Sequence, residues 1–308
     1  MDVLVTGGAG FIGSNIVKKL VGDGYNVTVL DNLHTGSEVN LFFVKGKVKL
    51  IKKSTGELKN LTEKFDIIFH NGIYSSSPMY KENPGLVGVV INEFLLLLEY
   101  ARKNDSKIIF ASSSSLYNTL QPPHREDMDI KVTDLYTEAR LTMERLGEAY
   151  YKIYGNRIIG LRYFSVYGPH EENKGKYANL ISQFLWALQK DQAPVVFGDG
   201  TQERDFIYVD DVVEANLIAM KSNIDFGVFN IGTGKSTKLN EIISILNAKL
   251  NKQIKPKYVS NPIKNYVYCT LADTTKAEQV LGFKAKVDLN EGIDKLLQYY
   301  KKHLKIIY

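Results

Sequence analysis

The run Val3-Leu4-Val5-Thr6-Gly7-Gly8-Ala9-Gly10-Phe11-Ile12-Gly13 opens the chain and decides how the rest is read. Val3–Thr6 is a short apolar run stopped by glycine, as a buried strand would be, and Ile12–Val21 repeats its apolar residues at helical spacing. Between them, glycines at 7, 10 and 13 permit a tight turn, close approach of backbone to a pyrophosphate, and close packing of helix on strand. A helix beginning near Phe11 points its unbonded N-terminal amides at those phosphates. The next candidate strand, Asn26–Leu30, ends at Asp31 and Asn32. An acid there accepts hydrogen bonds from the adenosine ribose and repels a 2′-phosphate, so these elements predict bound NAD rather than NADP. Gly7, Gly10, Phe11, Ile12, Gly13, Asp31 and Asn32 are the expected cofactor contacts. A ligand-free glycine turn, the plainer alternative, gives no reason for the acid at the second strand's end.

Further out, Asp66–His70, Lys107–Ala111, Arg157–Tyr163 and Gly227–Ile231 are apolar runs, and Leu86–Lys103 and Glu138–Tyr154 are amphipathic stretches. Unbroken apolar strands alternating with helices predict an α/β fold of the Rossmann-like, doubly wound kind, its parallel sheet covered on both faces. After Gly168 the pattern changes to a turn-rich stretch, Gly168–Lys176, a helix over about Tyr177–Lys190, and the segments Val195–Gly200 and Arg204–Val209. The expected division is an NAD-binding domain over 1–165 with a returning segment at about 206–235. Residues 166–205 and 236–308 then form a smaller α/β substrate-binding lobe.

Hydrophobic residues at 44% and charged residues at 24% of 308 suit a globular chain with its own core. The net charge of +5, from 39 basic and 34 acidic residues, mildly favours anionic small molecules, and no basic run asks for nucleic acid. Gly85–Tyr100, the most apolar helix-length stretch, is interrupted by Asn92 and Glu93 and is too short to span a bilayer. The N-terminus has no basic region followed by a cleavable apolar segment, so no signal peptide is expected. Cys269, the single cysteine, excludes an internal disulfide and reads as a small buried hydrophobe in a reducing, cytoplasmic setting. No metal site is expected.

Further motifs keep a recognisable order: Ser112-Ser113-Ser114-Ser115-Leu116-Tyr117, then Tyr136-x-x-x-Arg140, then Arg162-Tyr163-Phe164-Ser165-Val166-Tyr167-Gly168-Pro169. Gly198-Asp199-Gly200-Thr201-Gln202-Glu203-Arg204-Asp205-Phe206 and Leu271-Ala272-Asp273 follow. With the glycine turn, these resemble the extended short-chain dehydrogenase/reductase superfamily over nearly the whole chain. The later motifs narrow the resemblance to nucleotide-sugar epimerases and dehydratases, the UDP-glucose 4-epimerase-like group in particular. That resemblance implies a catalytic tyrosine that takes a proton from a sugar hydroxyl while NAD takes the hydride from the same carbon. The matching residue is Tyr136.

Where the family carries lysine one helical turn later, this chain has Arg140, which keeps the positive charge but differs in shape. Two readings of Arg140 stand: it substitutes for the lysine beside Tyr136 and the cofactor, or it makes an ordinary helical ion pair. Ser113, four residues before Tyr117, matches the family's hydroxyl partner to the reacting sugar oxygen. The dehydratases place Asp and Glu at the next two positions; Ser114 and Ser115 stand there, which favours epimerisation over loss of water.

The resemblance also implies that Ser165, Asn179, Arg204 and Lys264 contact the nucleotide sugar, Arg204 at its diphosphate and Lys264 in place of a missing second arginine. His70 reads as a packed strand-end histidine, and Gly72 as a point of close approach to the cofactor. Ser54 or Thr55 stands where relatives tend to carry an acid on the adenine side. Relatives pair the helices matching Leu86–Lys103 and Glu138–Tyr154 across a two-fold axis, so a homodimer is expected. The leading expectation is NAD-dependent epimerisation at C4 of a UDP-hexose through a 4-keto sugar. A dehydratase or reductase of the same superfamily, and a non-catalytic NAD- or sugar-nucleotide-binding protein, are the alternatives.

Overall fold

The computed structural model describes residues 1–261 and 267–307, the side chains from 303 onward excepted. The chain begins β1 (Asp2–Thr6), α1 (Phe11–Gly22), β2 (Asn26–Leu30), β3 (Val48–Ile51), β4 (Ile67–His70), α2 (Ser77–Glu82) and α3 (Leu86–Asn104). It continues β5 (Lys107–Ser113), α4 (Leu135–Tyr154), β6 (Ile158–Tyr163), β7 (Ser165–Tyr167), α5 (Leu180–Gln189), β8 (Val195–Phe197), β9 (Glu203–Arg204) and β10 (Phe206–Tyr208). It closes with α6 (Val209–Lys221), β11 (Phe226–Ile231), β12 (Thr237–Lys238), α7 (Leu239–Leu250), β13 (Lys257–Val259) and α8 (Leu289–Ile307).

Seven of these strands form one parallel sheet in the order β11-β6-β5-β4-β1-β2-β3. Successive side chains of a strand face opposite sides of the sheet. Val3 and Val5 therefore pack with Ile16, Val17 and Leu20 of α1 and Ala215 of α6. Leu4, between them, packs with Phe94, Leu97 and Leu98 of α3 and Ala139 and Met143 of α4. Apolar cores on both faces explain the unbroken apolar strands, and the fold is the Rossmann-like doubly wound sheet expected. A further core joins Ile181 and Phe184 of α5, Ile242 and Leu246 of α7, and Ile293 and Leu296 of α8. Two-stranded pairings β8–β13, β9–β12 and β7–β10 accompany it, and β11 then carries the chain back into the main sheet.

Three boundaries moved. β5 runs two residues past Ala111, so Ser112 and Ser113 lie on the strand. α4 starts at Leu135, ahead of the expected Glu138, because Asp134 and Thr137 form a capping box. α5 starts at Leu180, after the expected Tyr177, because the Asn179 side chain caps it through the Ile181 amide. β3 was not anticipated: it is an edge strand whose side chains are half-buried or exposed, so it lacks a solid apolar run.

Candidate active site

Gly7 has φ +66°, and a Cβ on it would lie 2.5 Å from the Gly72 nitrogen. A Cβ on Gly13 would lie 2.1 Å from the Gly7 carbonyl oxygen. Both positions demand glycine, the first for its dihedral and the second because α1 packs onto the turn. The close approach expected at Gly72 is made to this turn, where a Cβ would meet the Gly7 nitrogen at 2.9 Å. Asp31 follows β2 and is 6% exposed. Its Oδ2 accepts from the Ala9 amide at 2.9 Å and its Oδ1 from the Leu33 amide at 2.7 Å. Burial pushes its carboxyl up, and those amides pull it back. The Gly10 amide also bonds to this carboxylate, and three amides on four lone pairs leave a place for a ribose hydroxyl.

A cavity of about 400 Å³ opens at the carboxyl ends of the strands, over the reversal of strand order between β1 and β4. Gly7, Gly10, Phe11, Ile12, Gly13, Asp31 and Asn32 all line it, as do Ser113, Tyr136, Arg140 and Ser165. A glycine turn without room for Cβ atoms, a helix N-terminus and a carboxylate with a place left are the donor and acceptor set a dinucleotide needs.

Tyr136 sits in the first turn of α4, which the capping box fixes. The Thr137 amide donates to Asp134 Oδ1 at 2.8 Å, and Ser77 Oγ donates to Asp134 Oδ2 at 2.6 Å. The Tyr136 ring meets Tyr80 edge-on at 5.5 Å. Burial pushes the Tyr80 phenol up to about 12, so Tyr80 stays protonated beside it.

Arg140, one turn later and 3% exposed, places its guanidinium carbon 5.0 Å from the Tyr136 ring centroid. One terminal nitrogen donates to the Ala111 carbonyl at 3.0 Å, the other to the Tyr74 carbonyl at 2.9 Å. It makes no ion pair among the described residues, so the ordinary helical ion pair is not what holds it. Nε has no hydrogen-bond partner. Arg140 is a clamp between β5 and the loop after β4.

Ser113 ends β5, is 8% exposed, and accepts from the Ser115 amide at 3.1 Å. Its neighbour Ser112 donates to Glu144, which lies two turns beyond Tyr136 on the same face of α4. Glu144 receives both Nε (2.9 Å) and a terminal nitrogen (2.6 Å) of Arg162, both residues being buried. Arg162 also donates to the Tyr117 hydroxyl at 2.7 Å, and Tyr117 to Asn230 at 2.7 Å. Sequence reasoning missed this network; the spacing of Tyr136, Arg140 and Glu144 was the available signal. His70 is a packed strand-end residue, bonded to Thr6 Oγ1 at 2.8 Å and stacked on Phe94.

The expected sugar-nucleotide contacts divide. Ser165 is on the cavity wall, near Lys174 and Tyr177, which the sequence reading did not single out. Asn179 is committed to structure, with Oδ1 accepting from Ile181 at 3.0 Å and Nδ2 donating to the Val166 carbonyl at 2.9 Å. Arg204 lies on β9 and donates to the Glu203 carbonyl at 2.7 Å. Neither of these two lines the cavity. Lys264 lies outside the described residues. Ser54 and Thr55 line the same cavity, together with Glu93 of α3. Cys269 is half-buried, with Sγ 4.0 Å from Glu203 Oε2, and is no core residue. Among the described residues, no His, Cys, Asp and Glu group is placed to hold a metal, and no helix is long and apolar enough to cross a membrane.

Known proteins resemble this chain along its length. A UDP-glucuronate 4-epimerase of Thermodesulfobacterium geofontis is 31% identical over 99% of this chain and 97% of its own. A UDP-N-acetyl-alpha-D-glucosaminuronate decarboxylase of Bacillus cytotoxicus is 28% identical over 97% of each chain. The crystal structure of the Thermotoga maritima UDP-glucose 4-epimerase with UDP-glucose superposes with a TM-score of 0.93 at 33% identity, covering 99% of this chain and 100% of that one. Residues 3–232 match the family described as NAD dependent epimerase/dehydratase. By that match and by likeness along its whole length, the chain is a member of the NAD-dependent epimerase/dehydratase family of nucleotide-sugar enzymes.

Proposed function

We propose that the protein interconverts the C4 epimers of a UDP-hexose. Tyr136 takes the proton from the C4 hydroxyl, and Ser113 holds that oxygen by a hydrogen bond. NAD, when bound, accepts the C4 hydride and returns it. The C4–O single bond becomes a carbonyl as O–H and C–H are lost. The 4-keto sugar turns over in the site, takes the hydride back on its other face, and recovers the proton from Tyr136. Arg140 supplies positive charge beside the phenol throughout and fixes the two walls it bridges. Ser165 and Lys174 serve the sugar diphosphate from the second wall, with Asn179 and Arg204 shaping that lobe from behind.

The observation that carries this reading is the placement of acids. Among the described residues, Asp31 and Glu93 are the carboxylates of the cavity wall, and backbone amides at Ala9, Leu33 and Gly56 hold them on the side of β2 and β3. Beside Ser113 stand Ser114 and Ser115, so elimination of water has no general acid there. The test is incubation with UDP-glucose, UDP-galactose and their N-acetyl and uronic forms, with products separated chromatographically. A C4 epimer from at least one of them is expected. A stable keto sugar, release of carbon dioxide from a uronic form, or no product with any would overturn the reading.

The same proposal includes a cytoplasmic homodimer. Val89 and Leu96 of α3 and Tyr151 and Tyr154 of α4 are 41%, 36%, 37% and 53% exposed, and pairing these two helices across a two-fold axis would cover exposed apolar surface on both. Light scattering after size exclusion should give twice the mass of one chain, and a monomer at micromolar concentration would refute it.

A further inference from the structure

Glu93 interrupts the apolar run of α3, and the structure shows where it goes. Its half-buried side chain forms part of the cavity wall at the end farther from Ser113, beside Ser54 and Thr55. Oε1 accepts from the Gly56 amide at 3.2 Å, and the Ser54 hydroxyl also donates to the carboxylate. No cation pairs with it among the described residues; Lys53, in the same wall, lies 3.5 Å from Glu57 instead. Burial pushes the Glu93 carboxyl up, and the two hydrogen bonds hold it down. A half-buried carboxylate without a cation takes donors, and two neighbours do not fill its four lone pairs.

The position of Asp31 fixes what lies opposite. With the ribose on Asp31 at the end of β2, the base extends toward the end of β3, where Ser54, Thr55 and Glu93 meet. Of the groups on an adenine edge, the 6-amino group is the donor. We infer that Glu93 reads the adenine of the cofactor by accepting a hydrogen bond from its 6-amino group, and so selects adenine over a base with a carbonyl at that position. This rests on the family's NAD dependence and not on the C4 chemistry, and its readout is binding.

The probe is nicotinamide hypoxanthine dinucleotide, which differs from NAD in carrying a carbonyl oxygen in place of that amine. The protein is equilibrated with an equimolar excess of the two dinucleotides, freed of unbound nucleotide, and its bound fraction is quantified by mass spectrometry. A carbonyl set against a carboxylate loses one charge-assisted hydrogen bond and gains a repulsion, so the wild-type protein should retain NAD in roughly 10- to 100-fold preference. Glu93→Gln places an amide that accepts from the amine or donates to the carbonyl, so the preference should fall to about threefold or less. Equal retention of both dinucleotides by the wild type would overturn the inference, even if the variant failed to fold. An undiminished preference in folded Glu93→Gln would overturn it as well.

Discussion

Arg140→Lys is the perturbation that separates this structure from a simple charge swap. Arg140 spends two donors on two backbone carbonyls, Ala111 at 3.0 Å and Tyr74 at 2.9 Å, and lays its plane near the Tyr136 ring. A single ammonium reaches one carbonyl, so one hydrogen bond from a charged donor is lost, at about 1.5–3 kcal/mol, while the Tyr74 carbonyl keeps the Tyr80 hydroxyl at 3.2 Å. The lost contact with the aromatic ring adds about 0.5–1 kcal/mol. The sum, roughly 2–4 kcal/mol, should lower the midpoint of thermal unfolding by about 4–8 °C in a chain of this size. Turnover should fall with it, by about 10- to 100-fold, because Ala111 lies two residues before Ser113 on β5 and the clamp sets the spacing of Ser113 and Tyr136. Differential scanning calorimetry and an epimer-exchange assay on the same preparation give both numbers. An unchanged midpoint, or a lysine variant faster than wild type, would show that the guanidinium is not a clamp.

The remaining expectations concern the frame around the site. Glu144→Ala leaves Arg162 buried without its counter-charge and should cost about 3–5 kcal/mol in urea unfolding; a loss under about 1 kcal/mol would remove the network from the account. His70 is held neutral by burial, its value lowered from 6.5 to about 3, so its contribution is present above pH 6.5 and lost as pH falls toward 3. That interval caps the contribution at roughly 5 kcal/mol, and His70→Asn should flatten the acid limb of stability; parallel pH profiles for the two proteins would contradict this. Gly13→Ala sets a Cβ 2.1 Å from the Gly7 carbonyl oxygen and should abolish NAD retention, measured by mass spectrometry of the purified protein. A fully loaded variant would contradict the packing argument.

Much of the frame was legible because it rests on local rules. The glycine turn, the acid after β2 and the continuous apolar strands each announce themselves within a few residues. Ser113, Tyr136 and Arg140 were legible by motif, and the structure brings them to one cavity wall. What the sequence did not disclose depends on contacts between distant elements. Glu93 looked like a polar break in an apolar helix, because nothing local shows that the end of β3 folds over it. For Arg140 the motif left two readings open, lysine substitute or helical ion pair, because its partners are backbone carbonyls 29 and 66 residues away, which carry no residue signature. Asn179 reads as a ligand contact by motif, yet its side chain is also what starts α5, and one residue type serves both purposes.

The central claim is transient oxidation at C4 with the hydrogen held by the enzyme. UDP-galactose and UDP-glucose carrying deuterium at C4 test it most directly, with Tyr136→Phe as the control. The account predicts that the C4 epimer forms with its deuterium still on C4, without net NADH, and that the Tyr136→Phe variant slows this by at least about 100-fold. Deuterium lost to solvent during epimerisation, or a variant as fast as the wild type, would contradict it.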